Sequence, residues 1–207
     1  MKLSCYFRPL LAALAVAFVC SHSALAQKKD SAFDPFTASI EENITLPAVS
    51  AKQSPAVVSA MAHLMKTLKS AGYSATAVRS GEVVMVSVPC SELFSSNATE
   101  LKEAGARRLQ GLLPYVKRSD NYKVVIAVHA DNTGDAQYAD ELTAARATAI
   151  DEYFFKHMGQ ETGIIPYGLG FDEPVAPNAG VKNRAANRRV EIYFVPTKDF
   201  IAKAQKK

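Results

Sequence analysis

Residues 129–150, HADNTGDAQYADELTAARATAI, decide the fold. They leave an apolar run, YKVVIAVHA (122–130), that reads as a strand. They then cross a polar turn at 131–135, where Gly134 can adopt positive φ without steric cost, and enter a helix-forming segment. Asp131 stands at the start of the stretch and Arg146 well inside it. If one helix begins at Ala136, Arg146 is displaced by roughly 15 Å along its axis, at 1.5 Å per residue, and the two charges serve different places. If Thr143 caps a later start, Arg146 falls in the first turn and shares a small site with Asp131 and the exposed helix N–H groups. Such a site suits a zwitterion, with the carboxylate taking an ammonium and the guanidinium fork clamping a carboxylate. A simple Asp131–Arg146 salt bridge, or separate capping roles, is the plainer alternative.

Working outward, SPAVVSAMAHLMKTLKSAG (54–72) predicts a helix, with Pro55 near its start, Gly72 past its end and Val57, Met61, Leu64 and Leu68 as its core stripe. GEVVMVSVPC (81–90) alternates as a strand, and helix is expected from about Asn97, with Leu101, Ala104, Leu109, Leu112 and Leu113 as its apolar residues. Residues 143–158 continue as a major helix, IIPYGLGF (164–171) reads as a strand, and 172–186 as loop with a short helical turn. RRVEIYFV (188–195) closes the order as a final strand. Strand, helix, strand, helix, strand, strand predicts an α/β (α+β) sandwich, a small mixed β-sheet with helices on one face.

The first 26 residues have a basic start (Lys2, Arg8), an apolar stretch of roughly 11 residues and the small pair Ala24 and Ala26, so a signal peptide cleaved after Ala26 is expected. Lipid attachment at Cys20 is the rival. Removing Lys2 and Arg8, and no acid, lowers the formal charge from +4 to +2. Cys90 then has no internal disulfide partner and reads as a small buried residue. Without a basic stripe interleaved with aromatics, nucleic acid is not indicated. Residues 27–52 read as a spacer, 53–77 as an N-terminal helix and connection, and 198–207 as a basic tail.

A second charged cluster lies in NRAANRRVEIYF (183–194). Adjacent side chains of a strand point oppositely, so Arg188 and Arg189 cannot both face one site. Together the clusters resemble the C-terminal, peptidoglycan-associating domain of the OmpA family. HADNTGDAQYADELTAARA is similar to its H-T-D-x-x-G-x-x-x-Y-N-x-x-L-S-x-x-R-A segment. GLGFDEPVAPNAGVKNRAANRRVEI is similar to its ending, and ELFSSNATELKEAGARRL to an earlier L-F motif. The resemblance spans about 82–195 and implies a βαβαββ order, a domain at 78–197 and a helix break near Thr143.

It implies that Asp131 meets the ammonium of peptidoglycan diaminopimelate and Arg146 its carboxylate, with Arg188 completing the pocket and Asn187 flanking it. His129 matches the family His and reads as structural. Ala130, Ala139 and Asn183 depart from the family's Thr, Asn and Gly, and Ala139 removes a polar side chain from the pocket. The expected function is a non-catalytic periplasmic module that holds peptidoglycan, with no cofactor and no metal. The alternative is a structural adaptor with a degenerate site, bound to another outer-membrane or envelope protein. A cell-wall enzyme is disfavoured, because no nucleophile–base arrangement or metal-ligand set stands out.

Overall fold

The computed structural model describes residues 33–158 and 163–205. The expected signal peptide (1–26), with the rival anchor Cys20, and residues 27–32 lie outside the described residues. Five strands form one mixed sheet in the order β1-β2-β5-β3-β4. They are β1 (Ser74–Val78), β2 (Val83–Pro89), β3 (Tyr122–Val128), β4 (Ile164–Gly168) and β5 (Arg189–Pro196). β3 and β4 are parallel and the other pairings antiparallel, so a crossover must join β3 to β4.

That crossover is α6 (Ala136–Met158), which packs beside α2 (Ser54–Ser70) on one face of the sheet. Val57, Met61, Leu64 and Leu68 of α2 are buried, as their spacing predicts. Each such side chain contributes roughly 1.5–3 kcal/mol of burial free energy. They meet Val84, Val86 and Val88 of β2 and Val190, Ile192 and Phe194 of β5, and Ala147, Ile150 and Phe154 of α6 join the same core. α6 approaches β4 closely because Gly168 has no side chain: a Cβ there would lie 2.2 Å from the Ala144 nitrogen. Thr143 Oγ1 accepts from Gly170 N at 3.0 Å, which fixes the helix against the end of β4.

Several expectations need revision. β1 was not anticipated, because SATAV is short and carries little apolar alternation. Residues 97–102 are not helical: Asn97 has φ 55° and helix resumes only in α4 (Glu103–Gln110), followed by α5 (Leu113–Val116). Ala104 is exposed, while Gly105 is the buried residue of that turn. The tail forms α8 (Lys198–Ala204), capped by the Thr197 side chain, with Ile201 buried.

The largest correction concerns the expected spacer. Residues 33–52 are ordered, with α1 (Ile40–Thr45) started by a Ser39–Glu42 capping box. Ile40 and Ile44 pack with Val83, Val125, Ile165 and Val195 on the face of the sheet opposite α2 and α6. Helices are therefore not confined to one face. Buried Asn43 fastens this strap: its Nδ2 donates to Pro35 O (2.6 Å) and Tyr167 Oη (2.7 Å), and its Oδ1 accepts from Lys123 Nζ (3.0 Å). Asn43→Leu leaves Lys123 and a backbone carbonyl short of partners, so its urea midpoint is expected to fall by an equivalent of ~1–3 kcal/mol. An unchanged midpoint would mean that the strap adds nothing to the fold.

Candidate functional site

The chain leaves β3 through His129 and Ala130, whose N–H groups donate to Arg189 O (2.9 Å) and Gly170 O (2.6 Å). Asp131 follows, only 3% exposed. Its Oδ1 accepts from Thr133 N at 2.9 Å and from the Thr133 hydroxyl, a local turn that Asp readily makes. Its Oδ2 accepts from Arg188 Nη1. Burial pushes the Asp131 carboxyl up, but the Thr133 donors and the Arg188 guanidinium outweigh it and hold it below its usual value. Gly134, at φ +116°, turns the chain, and the Asp135 side chain accepts from Tyr138 N (2.8 Å) at the start of α6.

α6 is continuous through Thr143, contrary to the expected break. Thr143 is buried in mid-helix, and its hydroxyl donates to Ala139 O (2.8 Å) and is also within reach of Asp140 O (3.1 Å). The long axial displacement still does not separate Arg146 from Asp131, because the pocket runs along the flank of the helix rather than off its N-terminus. Ala139, Leu142 and Arg146, at i, i+3 and i+7, share that flank and line the pocket.

Arg146 does not pair with Asp131. Its Nε donates to Ala98 O (2.8 Å) and its Nη2 to Ser95 O (3.2 Å), with the guanidinium 5.0 Å from the Phe94 ring centre. A helix through 97–102 would consume such carbonyls; the irregular backbone leaves them for the guanidinium. Sequence reading missed this, because main-chain acceptors have no sequence signature. Asp131, Arg146 and Arg188 thus border one pocket of about 320 Å³, along with Phe94, Ser95 and Thr133. Ala130 and Ala139 also line it, while Asn183 lies on α7 (Gly180–Asn187), away from the lining. Buried Cys90, at the edge, has its thiol pushed up to about 11 by burial, so it stays protonated at neutral pH.

Asn187 is not in the lining. Its Oδ1 accepts from Val175 N and Ala176 N, both at 3.0 Å, and its Nδ2 donates to Ala176 O and Asn178 Oδ1. It shapes the loop before α7 and keeps no amide group for a ligand. Arg188, which caps the end of α7, and Arg189, the first residue of β5, diverge. Arg188 reaches Asp131, and Arg189 turns to Glu191 Oε1 (2.7 Å) and Glu173 O (3.2 Å).

With this geometry established, comparisons with known proteins place it. Residues 93–188 match the model of the OmpA family. The chain carries an OmpA family domain. It is 30% identical over 135 residues to the Escherichia coli (strain K12) protein named probable lipoprotein YiaD, covering 65% of this chain and 61% of that one. It is 32% identical over 99 residues to the peptidoglycan-binding protein ArfA of Mycobacterium tuberculosis (strain H37Rv), covering 48% of this chain and 30% of that one. The chain thus spans less than two thirds of either relative. A MotB-like protein from Desulfovibrio vulgaris shares the fold, with TM-score 0.62 and 24% identity over 70% of this chain and 96% of that chain. The cell wall anchor of the T6SS from Pseudomonas aeruginosa gives TM-score 0.56 and 25% identity, covering 66% and 97%.

Behind the pocket lies a second charged group. Glu191 is buried in β5; its Oε1 accepts from Arg189 Nε and its Oε2 from Tyr193 Oη, with His129 Nε2 3.4 Å from that same Oε2. Arg189, Glu191 and Tyr193 share one strand face at period 2, a signal carried by RVEIY (189–193). Burial raises the Glu191 carboxyl, yet the donors from His129, Tyr193 and Arg189 bring it to about 2. A carboxyl held low in the folded state contributes stability above its unfolded value, near 4.5, which is lost as pH falls toward about 2. We expect unfolding free energy to drop across that window by roughly 3 kcal/mol for this group, with Asp131 adding in the same direction. Glu191→Gln should be less stable at pH 7 and should lack that share of the acid decline. An identical pH slope in both proteins would rule out this role.

Proposed function

We propose that this pocket grips the diaminopimelate end of a peptidoglycan stem peptide, in a non-catalytic periplasmic protein that tethers or organises the cell wall and outer membrane. The observation that carries the reading is one ionised carboxylate and two guanidiniums on a single pocket, with Arg146 held by carbonyls and paired with no carboxylate among the described residues. Two relatives point the same way: one is named a peptidoglycan-binding protein and the other a cell wall anchor.

The chemistry is recognition without bond making. A carboxylate offers about four lone-pair sites, so Asp131 can accept from a ligand ammonium while keeping Thr133 and Arg188. With Nε and one Nη2 hydrogen committed to carbonyls, the outer edge of the Arg146 fork remains for a ligand carboxylate. Arg188, whose side chain is 42% exposed, can stay on Asp131 or turn to the ligand. Export through the leader, with cleavage after Ala26, puts the domain in the wall's compartment. The adaptor reading draws its support from Ala130 and Ala139, which line the pocket without polar side chains. One lost hydrogen bond amounts to ~0.5–1.5 kcal/mol, which weakens a charged clamp rather than abolishing it.

Co-sedimentation with isolated sacculi at low and moderate salt separates the two readings. Wild type should pellet, and Asp131→Ala and Arg146→Ala should bind about tenfold more weakly or less while keeping wild-type circular dichroism. Arg146→Lys, which retains charge but not the fork, should fall between them. Equal pelleting of all the folded variants would favour the adaptor.

A further inference from the structure

At the opposite end of β3 from Asp131, the strap and α8 enclose a second cavity of about 520 Å³. Its walls are apolar, with Phe33, Leu46, Pro47 and Ile201 prominent, and its charged lining among the described residues is Lys123 and Lys198, with no acid. Lys123 is half-buried on β3. Its ammonium donates to Asn43 Oδ1 (3.0 Å) and Leu46 O (2.8 Å) and lies 5.3 Å from the Phe33 ring centre. Both acceptors are neutral. No carboxylate pairs with Lys123 among the described residues; the charge that bears on it is Arg79, another cation, itself 3.9 Å from Glu82.

A cation drawn part-way out of water with only neutral acceptors is under-compensated. Burial, reinforced by Arg79, brings the Lys123 ammonium down to about 8, so it is still charged at neutral pH. A cavity that is apolar on its walls and positive at two points is complementary to a molecule with a hydrocarbon body and one anionic head. Its volume lies within the ~300–1,000 Å³ of small-molecule sites, which suits one aliphatic chain rather than a two-chain lipid.

We propose that this cavity binds a single-chain amphipathic carboxylate of the fatty-acid class, its chain against Leu46, Pro47 and Ile201 and its head between Lys123 and Lys198. This site is separate from the peptidoglycan pocket and does not depend on that assignment. The strap that the sequence presents as a spacer forms one wall of it.

The test is isothermal titration of the purified chain with sodium dodecanoate below its micelle concentration, with neutral dodecyl maltoside as comparison. Dodecanoate is expected to bind at one site, at least about tenfold more tightly than the maltoside. Lys123→Met keeps the stem length and should erase the preference for the anion. Because that variant also loses two strap hydrogen bonds, Ile201→Trp provides an independent arm: it fills the cavity, keeps both lysines and should abolish binding. Amide chemical-shift changes should centre on Leu46, Lys123 and Ile201. No dodecanoate binding by wild type, equal affinity for the neutral amphiphile, or undiminished binding by Ile201→Trp would each overturn the proposal.

Discussion

Asp131 carries a charge at 3% exposure, and an ionised carboxylate so far from water persists only where donors replace its hydration. Three converge on it: the Thr133 amide and hydroxyl from its own turn and the Arg188 guanidinium from the start of the neighbouring strand β5. Each needs a different part of the fold. The Thr133 contacts need the turn between β3 and α6, which Gly134 permits. Arg188 needs β5 paired antiparallel with β3, so that the start of one strand lies beside the end of the other. The sheet order β2-β5-β3 is thus the scaffold that lets this carboxylate stay ionised.

Arg146 is held on a different principle. Its neighbours are carbonyls and an aromatic face, which orient a guanidinium without neutralising it. A carboxylate partner would have satisfied the charge and closed the site to an anion. Pinning by carbonyls leaves the positive charge available, and it depends on 95–98 staying out of helical geometry. The same division recurs at the other end of β3, where Lys123 is held by Asn43 and Leu46 with no acid paired to it among the described residues.

Much of this was legible in the sequence. The stripe of α2 and the alternation of β2 follow from periods of 3.6 and 2, and β3 and β5 from their apolar, β-branched runs. The resemblance in the two charged segments picked out Asp131, Arg146 and Arg188, which share the pocket. What the sequence hid was long-range pairing. Nothing local says that Arg188 rather than Arg146 reaches Asp131, or that Ser95 and Ala98 offer their carbonyls to a helix some fifty residues away. The strap was hidden for a related reason: α1 is too short to show a period, and Asn43 is an ordinary polar residue until Tyr167, Lys123 and Pro35 surround it. Helix length misled in another way, because axial distance along α6 says little about a pocket that runs beside it.

The central claim is that two opposite charges at fixed separation select a zwitterionic side chain. The most direct test is titration of the 15N-labelled protein with a soluble stem tripeptide ending in diaminopimelate, beside the same tripeptide ending in lysine. Lysine keeps the ammonium and lacks the second carboxylate. The account predicts saturable shifts at Thr133, Ser95 and the Arg146 and Arg188 side chains with the diaminopimelate peptide, and about tenfold or weaker affinity for the lysine peptide. Equal affinity for both, or shifts that avoid this pocket, would contradict it.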